Sequence, residues 1–349
     1  MAEPYAKPKN LPATATTALR TAIVAAATAA GSSGTVVLPV WPSERFHIVS
    51  KLGAGAFSTV YAAIDTTNSP VVETQVAVKI VRTASMTPQQ IAKVYKEIGI
   101  LRRVHHTNIV RFLGAFVSNN NPLYVHIVAE LFNGGEVFDH LVKATYYSEP
   151  MSRHIIMQVA EAVRYLHVEC NVVHRDIKLE NLVCQSAEIL PSSSTSSTSS
   201  TLEQYRQTRT RRSEGVVVPG LMGGGIGRVA LADFGLSRSF STRSQLAQTP
   251  CGTVGYAAPE LVMAREYTPR AVDMWAIGCL LYTMLVGFPP FYDDDPTQLA
   301  RKVAHGEWSF ISPWWDGISN SAKDVVARLL RVRPEERLTI EEFLAHPWV

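Results

Sequence analysis

One short segment of the sequence, Val172–Asn181, brings together side chains that could handle a phosphoryl group. It places a carboxylate (Asp176), an ammonium group (Lys178) and an amide (Asn181) within six residues, between two apolar pairs. The apolar flanks predict a short loop between buried strands, which would direct the three polar groups into one cleft. Phosphoryl transfer needs a carboxylate near the attacking hydroxyl, a cation on the transferred oxygens and a metal ligand. A match of this length could arise by chance, so the interpretation depends on partners elsewhere in the chain.

A glycine-containing turn, Gly53–Val60, lies between two strand-like runs. Glycines allow the backbone to approach a phosphate closely and to adopt turn angles that other residues resist. An ordinary hairpin is the alternative, and Ser58 at the place of a third glycine weakens the nucleotide interpretation. Because no helix follows, the turn is neither a Rossmann fingerprint nor a Walker loop.

A lysine and two carboxylates complete the set of candidates. Lys79 lies in the apolar run Val76–Ile80, where an interior strand would require a partner for its charge. Glu97, on a predicted amphipathic helix, is the candidate partner, although an edge-strand lysine in solvent is the alternative. Asp233 follows a buried strand and precedes Phe234-Gly235, a tripeptide that carries little information alone.

The elements expected to position these residues change in type along the chain. Residues 46–81 and the runs Ile109–Phe116 and Tyr124–Leu131 have strand patterns, interrupted by a helix that begins after Thr87. Beyond about residue 133 the patterns are mostly helical, which predicts a small β-rich part, a larger helical part and a cleft between them. Two segments stand apart: an Ala/Thr/Pro-rich leader at 1–43 and a Ser/Thr-rich insertion at about 185–224, both predicted to be disordered.

Composition narrows the classes of function. The chain of 349 residues is 46% hydrophobic and 18% charged, as in soluble globular proteins, and its net charge of +3 is too small to indicate nucleic-acid binding. Four scattered cysteines without a C-x-x-C pair argue against a zinc site or a disulfide framework. The longest apolar run, Ala18–Ala30, is shorter than the roughly 20 residues of a membrane-spanning helix, so no membrane segment is predicted.

Together and in this order, these motifs resemble the signature set of protein kinases over Phe46–Val349, with Gly252–Glu260 and Asp273–Trp275 as two more fixed points. The resemblance implies an α+β, two-lobed protein-kinase fold. A small β-rich N-lobe with one main helix would span 44–132, and a larger, mostly helical C-lobe would span 133–349. It also implies ATP and Mg²⁺ as cofactors. Separately from the resemblance, Arg337 could pair with Glu260.

The same resemblance assigns roles to the candidate residues. Asp176 would accept the proton of the substrate hydroxyl, and Lys178 would neutralise the transferred phosphoryl group. Asn181 and Asp233 would hold magnesium. The residues expected to contact or support ATP are Leu52, Gly53, Gly55, Ser58, Val60, Ala77, Lys79, Glu97, Glu130, Phe132 and Val183.

Substrate preference can be interpreted in the same way. Lys178, two residues after the catalytic aspartate, is similar to the pattern of Ser/Thr rather than tyrosine kinases. In basophilic relatives an acidic residue after the hinge glycines receives an arginine three residues before the acceptor, and Glu136 fits this position. Glu180 would be a second acidic contact. The alternative for both is a solvated surface carboxylate.

The C-terminal motifs Pro313–Asp316 and Phe343–Trp348 resemble the calmodulin-dependent-kinase group. The insertion, together with Thr249–Thr253, is similar to fungal kinases that stress MAP kinases activate. This similarity implies that Thr249, which precedes a proline, is phosphorylated by an upstream MAP kinase and that Arg175 binds the phosphate. A constitutively ordered loop is the alternative.

A pseudokinase scaffold in a stress-signalling complex is the second functional hypothesis. It is disfavoured because Lys79, Asp176, Asn181 and Asp233 are all present. Further expectations are protein substrates, a monomeric catalytic domain with no nucleic-acid or membrane partner, and a cytoplasmic location that could extend to the nucleus.

Overall fold

The computed structural model describes residues 38–42, 44–67, 74–118, 124–189, 214, 217–218, 222–239, 254–264 and 268–349. The chain divides into two compact units. The first comprises Met1–Arg103 and Arg111–Leu131, and the second comprises Val104–Val110 and Phe132–Val349. The main division therefore falls one residue before the predicted boundary at 132, and a short piece near 107 belongs to the second unit.

The first unit is built on a five-stranded antiparallel sheet. Its strand order is β1-β2-β3-β5-β4, so β1 and β4 are the edge strands. One face packs on helix α1 (Pro88–Leu101) through an apolar cluster that includes Val81, Val125 and Ile127. A second apolar cluster includes Phe46, Val76 and Val128. The elements are β1 (Phe46–Ala54), β2 (Ser58–Asp65), β3 (Thr74–Arg82), α1 (Pro88–Leu101), β4 (Phe112–Val117) and β5 (Tyr124–Glu130).

Helix α1 begins where its sequence predicts. The Thr87 hydroxyl accepts the Gln90 N–H at 3.3 Å, and the Gln90 side chain accepts the Thr87 N–H at 2.7 Å, which forms a capping box with Pro88 at the first helical position. Ile91, Val94 and Ile98 form its buried face, as their three- and four-residue spacing predicts.

Strand β4 is shorter than predicted. The predicted run began at Ile109, but β4 begins at Phe112. Ile109 instead forms a bridge with Leu231, and the Val110 N–H donates to the Leu231 carbonyl at 3.0 Å. The apolar run Ile109–Phe116 is therefore divided between the two units. Periodicity alone cannot show where such a division falls.

The folded part of the chain begins earlier than the predicted leader allows. Leu38 is 7% exposed and belongs to the cluster beneath α1. The Trp41 ring stacks on Phe46 at a centroid distance of 4.8 Å and on His126 at 4.2 Å. The expectation of disorder over 1–43 is thus incorrect for residues 38–42, while residues 1–37 lie outside the described part.

The buried histidine under Trp41 makes stability depend on pH. Burial lowers the pKa of His126 to about 4, below the ordinary value of 6.5. Between these values the unfolded chain binds a proton that the folded chain does not, so the free energy of unfolding rises with pH. We expect acidification from pH 7 to pH 4.5 to destabilise the fold, with His126 contributing up to about 3 kcal/mol.

Urea titrations of the wild type and His126→Phe across this pH range test this expectation. The variant should show a shallower dependence of unfolding free energy on pH, whereas His47→Phe, at an exposed position of β1, should retain the wild-type slope. Equal slopes in the wild type and His126→Phe would contradict the assignment.

The second unit is mostly helical, with two small sheets ordered β6-β8-β9 and β7-β10. Helix α5 (Pro269–Val286) is buried along almost its whole length and forms the centre of this unit. No helix in the described ranges is long and apolar enough to cross a membrane. The elements are β6 (Gly135–Glu136), α2 (Val137–Ala144), α3 (Glu149–Val168), β7 (Val172–Val173), β8 (Leu182–Ser186), β9 (Ile226–Leu231), β10 (Arg238–Ser239), α4 (Pro259–Val262), α5 (Pro269–Val286), α6 (Pro296–His305), α7 (Asn320–Leu329) and α8 (Ile340–Leu344).

Both ends of the predicted insertion belong to the folded unit. Gln185 and Ser186 complete β8. Near the other end, the Glu214 carboxylate accepts the Ser148 N–H at 2.9 Å and the Ser148 hydroxyl, and Ser148 is the N-cap of α3. Val218 and Met222 pair as a short antiparallel bridge. The prediction of disorder from 185 to 224 therefore requires correction at both ends, and residues 190–213 lie outside the described ranges.

Candidate active site

Asp176, Lys178 and Asn181 form one hydrogen-bonded group. Lys178 Nζ lies 3.0 Å from Asp176 Oδ2. Asn181 Nδ2 donates to the same oxygen at 2.9 Å and to the Asp176 carbonyl at 2.7 Å. The Asp176 side chain is therefore oriented by an ammonium group and an amide. Because the Asn181 nitrogen is used in this way, its amide oxygen remains an acceptor for a cation.

A buried carboxylate on α5 holds the backbone of this loop. Asp273 Oδ1 accepts the Arg175 N–H at 2.8 Å, and Oδ2 accepts the His174 N–H at 2.9 Å and His167 Nε2 at 2.8 Å. Burial acts to raise the pKa of Asp273, but the hydrogen bond from His167, together with the other groups that face the carboxylate, lowers the pKa overall. Arg175 has a φ of +72°, an unfavourable backbone angle that such anchoring can sustain.

Asp273 is the functional residue whose role the sequence did not reveal. The sequence pattern marks Asp273–Trp275 as a fixed point but assigns it no role. The available signal was a carboxylate inside an apolar helix, because a fully buried Asp requires several donors.

His174 connects the loop to the segment that carries Asp233. Its Nε2 lies 3.1 Å from the Ala232 carbonyl, and its Nδ1 accepts the Asp176 N–H at 3.3 Å. This arrangement requires a neutral ring with the proton on Nε2. Burial lowers the pKa of His174, which favours that neutral form.

A backbone hydrogen bond brings the segment that carries Asp233 next to Asn181. The Ala232 N–H, one residue before Asp233, donates to the Asn181 carbonyl at 2.8 Å. Asp233 has a φ of +60°, its side chain is exposed, and its Oδ1 accepts the Gly235 N–H at 3.2 Å.

This donor set fits magnesium. Mg²⁺ prefers oxygen ligands, and it commonly takes one or two from protein and the rest from water and phosphates. A carboxylate at Asp233 and an amide oxygen at Asn181 supply that number. Within the described ranges, no group of three or more His, Cys, Asp or Glu side chains could hold a metal.

The glycine-containing turn joins β1 and β2 in the first unit. The Gly55 N–H donates to the Ser58 carbonyl at 2.7 Å, which closes the turn. A side chain at Gly53 would meet no atom within 4 Å. The protein's own packing therefore does not require glycine at this position, which is consistent with space kept for a ligand.

The predicted ion pair between Lys79 and Glu97 forms. Lys79 Nζ donates to Glu97 Oε1 at 2.8 Å, and Glu97 is 7% exposed. Lys79 lies on β3, an interior strand of the sheet, so the alternative of an edge-strand lysine is excluded.

The other residues expected around ATP belong to both units. Val60 is the β2 partner of Lys79, Ala77 lies opposite Ala129, and Leu52 is 51% exposed. The Glu130 N–H, at the end of β5, donates to the Arg111 carbonyl at 2.9 Å.

In the second unit, the Phe132 ring is buried, and the Arg228 guanidinium lies 4.5 Å from its centroid. Val183 lies on β8 opposite Glu136 and Ala230.

The two candidate substrate-binding carboxylates lie in one acidic group. Burial raises the pKa of Glu136, and the negative charges of Asp139 and Glu180 raise it further. The side chains of both Glu136 and Glu180 are only partly covered and remain accessible to solvent. A cationic side chain bound there would relieve this repulsion.

Arg175 is placed by the structure, but its proposed partner is not. Thr249 and the residues 250–253 lie outside the described ranges, so the predicted contact between Arg175 and a phosphate on Thr249 is not tested.

A buried ion pair supports the second unit, as predicted. Arg337 Nη1 and Nη2 bind the two Glu260 carboxylate oxygens at 2.8 and 2.7 Å. The remaining donors of Arg337 reach the carbonyls of Ala271, Val332 and Arg331.

Comparison with known proteins agrees with this geometry. A family model described as "Protein kinase domain" matches residues 46–349. The chain is 46% identical over 318 residues to the serine/threonine-protein kinase srk1 of Schizosaccharomyces pombe, which covers 88% of this chain and 52% of that protein. It is 47% identical over 306 residues to the calcium/calmodulin-dependent protein kinase type II of the same yeast, covering 88% and 57%.

A third relative is the serine/threonine-protein kinase RCK2 of Saccharomyces cerevisiae, at 40% identity over 328 residues, covering 87% of this chain and 52% of that protein. The chain spans about half the length of the curated relatives it matches.

Proposed function

The chain belongs to the protein kinase family, and we propose that it transfers the γ-phosphoryl group of ATP to Ser and Thr hydroxyls of proteins. The observation that carries this proposal is the hydrogen-bonded group of Asp176, Lys178 and Asn181, with Asp233 beside it. It supplies the acceptor, the cation and the metal ligands that phosphoryl transfer needs. The serine/threonine kinases among its relatives support the choice of acceptor.

In the proposed reaction the substrate hydroxyl oxygen bonds to the γ-phosphorus while the bond to the β-γ bridging oxygen breaks. Asp176 orients the hydroxyl and accepts its proton, and Lys178 neutralises charge on the transferred group. Lys79, held by Glu97, would bind the α- and β-phosphates. Magnesium bound by Asn181 and Asp233 would neutralise the charge that develops on the phosphate oxygens.

We propose that substrates carry arginine three residues before the acceptor. Glu136 and Glu180 share an acidic group in which the pKa of Glu136 is raised by burial and by neighbouring negative charges. An arginine guanidinium can bind a carboxylate through two parallel hydrogen bonds, which makes it a suitable occupant.

Glu136→Gln should lower kcat/KM for an Arg-containing Ser peptide by about tenfold or more, because a charge-assisted hydrogen bond contributes about 1.5–3 kcal/mol. The same variant should leave the rate on the matched peptide with Ala at that position within twofold. Glu335→Gln, at an exposed site in the second unit, is the control. Equal losses on both peptides would show that Glu136 does not select arginine.

We propose that phosphorylation of Thr249 activates the enzyme. Thr249 precedes Pro250, which suits a proline-directed kinase such as a stress MAP kinase. A phosphate adds about −1.5 to −2 charges, and Arg175, beside Asp176, would pair with it and order the loop.

Incubation with a stress MAP kinase, followed by phosphosite mapping and a rate measurement, tests this switch. We expect phosphate on Thr249 and an increase in kcat/KM of tenfold or more, which Thr249→Ala abolishes. Thr297→Ala, on α6, is the control, because it removes a threonine hydroxyl far from Thr249 in the sequence. Full activity of Thr249→Ala after the same treatment would contradict the proposal.

A further inference from the structure

The residues just before β1, Leu38–Pro42, form what we call the N-terminal strap. The Trp41 N–H donates to the Val117 carbonyl at 2.7 Å, and the Val117 N–H donates to the Pro39 carbonyl at 2.9 Å. Val40 forms a parallel bridge with Val117. Because β4 is an edge strand of the sheet, the strap covers backbone groups that would otherwise be exposed there.

The strap contributes side chains to both apolar clusters of the first unit. Trp41 packs against the cluster that contains Phe46, and its ring stacks on Phe46 and on His126. Leu38 belongs to the other cluster, together with Ile91 and Val94 of α1. A segment of five residues therefore contacts the edge strand β4 and helix α1.

The cluster that contains Leu38 lies next to both members of the ion pair between Lys79 and Glu97. Helix α1 carries Glu97, whose neighbour Ile98 is in the same cluster as Leu38. Lys79 lies opposite Ile127 of β5, which also belongs to that cluster. Since most helix stability in proteins comes from packing of the apolar face, a change in this cluster is expected to change where Glu97 lies.

We propose that the N-terminal strap holds α1 in the position at which Glu97 reaches Lys79, and that Leu38 and Trp41 are positioning residues for nucleotide binding and phosphoryl transfer. The inference rests on the proposed kinase activity but not on Thr249 or on the preference for arginine. Loss of Leu38 would leave a cavity beside α1, and loss of Trp41 would release the strap from the sheet.

The test uses the full chain with Leu38→Ala, Trp41→Ala and the control Val40→Ala, whose side chain is 48% exposed. Affinity for Mg²⁺-ATP is measured by titration calorimetry, and kcat and KM for ATP are measured per folded chain. We expect Leu38→Ala and Trp41→Ala to weaken ATP binding and raise KM by about tenfold, and Val40→Ala to remain within twofold. Leu38→Met and Trp41→Phe should recover most of the affinity.

A double-mutant cycle with Glu97→Gln separates positioning from general stability. If the strap acts through Glu97, Leu38→Ala should cost less than twofold further in the Glu97→Gln background. The same tenfold loss in both backgrounds, or a lowered Tm with unchanged ATP affinity, would overturn the proposal.

If Leu38→Ala does not fold, Leu38→Val replaces it in the test, and we expect this variant to weaken ATP binding about threefold. Unchanged ATP affinity in this variant would overturn the proposal as well. A wild type that binds ATP without transferring phosphate would contradict the proposed activity, while the binding measurements would still decide the role of the strap.

Discussion

Asp176→Asn should lower kcat by about 10²–10⁴-fold, the usual contribution of a positioned general base. The substitution keeps the size of the side chain, so Asn181 and Lys178 retain a neighbour of similar shape. It removes the carboxylate that accepts the hydroxyl proton and the charge that holds Lys178 Nζ at 3.0 Å. The loss corresponds to about 3–5 kcal/mol on the activation barrier.

Steady-state rates on a Ser peptide at saturating Mg²⁺-ATP measure this effect. The Tm and the affinity for ATP should change little, because Asp176 is assigned to the reacting hydroxyl and not to the nucleotide. Asp294→Asn, on an exposed loop, is the matched control and should retain the wild-type rate. Unchanged activity in Asp176→Asn would show that the assigned mechanism is wrong.

Arg337→Ala should lower the free energy of unfolding by about 3–5 kcal/mol, because it leaves the buried Glu260 carboxylate without its partner. Arg337 is 4% exposed, and its guanidinium lies 5.1 Å from the centroid of the Trp275 ring. All of its donors are used, by Glu260 or by backbone carbonyls. The substitution therefore removes hydrogen bonds, charge compensation and packing together.

Urea unfolding of the full chain measures this change. The matched control is Arg333→Ala, because Arg333 forms an exposed pair with Glu336. Exposed pairs contribute at most about 1 kcal/mol, so this control should remain near the wild type. A loss of similar size in both variants, or none in Arg337→Ala, would contradict the assigned role of the buried pair.

The sequence was most informative where local chemistry determines structure. Thr87-Pro88 predicted the start of α1, because the hydroxyl cap and the fixed φ of proline act over a few residues. The pair between Lys79 and Glu97 was predicted because a lysine in an interior strand requires an opposite charge. The convergence of Asp176, Lys178 and Asn181 was predicted from their spacing and from the apolar residues on both sides.

Long-range contacts between irregular segments could not be predicted in this way. Leu38 and Trp41 lie next to an Ala/Thr-rich stretch, whose composition masks two side chains that pack on distant strands. Glu214 follows a Ser/Thr- and Arg-rich stretch, yet it accepts two hydrogen bonds from Ser148, 66 residues away. Composition averages over a window, whereas a single well-placed side chain can anchor a segment.

The role of Asp273 could not be predicted from the sequence for a different reason. Its helix was predicted, but the three donors that converge on it come from 98–106 residues earlier in the chain. No local pattern specifies that convergence. Only the folded backbone explains why this carboxylate determines the geometry of the loop that carries Asp176.

The most direct test of the proposed Ser/Thr kinase activity is to identify the residue that receives phosphate. The chain, with and without prior treatment by a proline-directed kinase, is incubated with Mg²⁺-ATP and an equimolar mixture of peptides that carry Arg at the third position before Ser, Thr or Tyr. Mass spectrometry should find phosphate on the Ser and Thr peptides, dependent on Mg²⁺ and increased by the treatment. No transfer under either condition, or transfer to the Tyr peptide alone, would contradict the account.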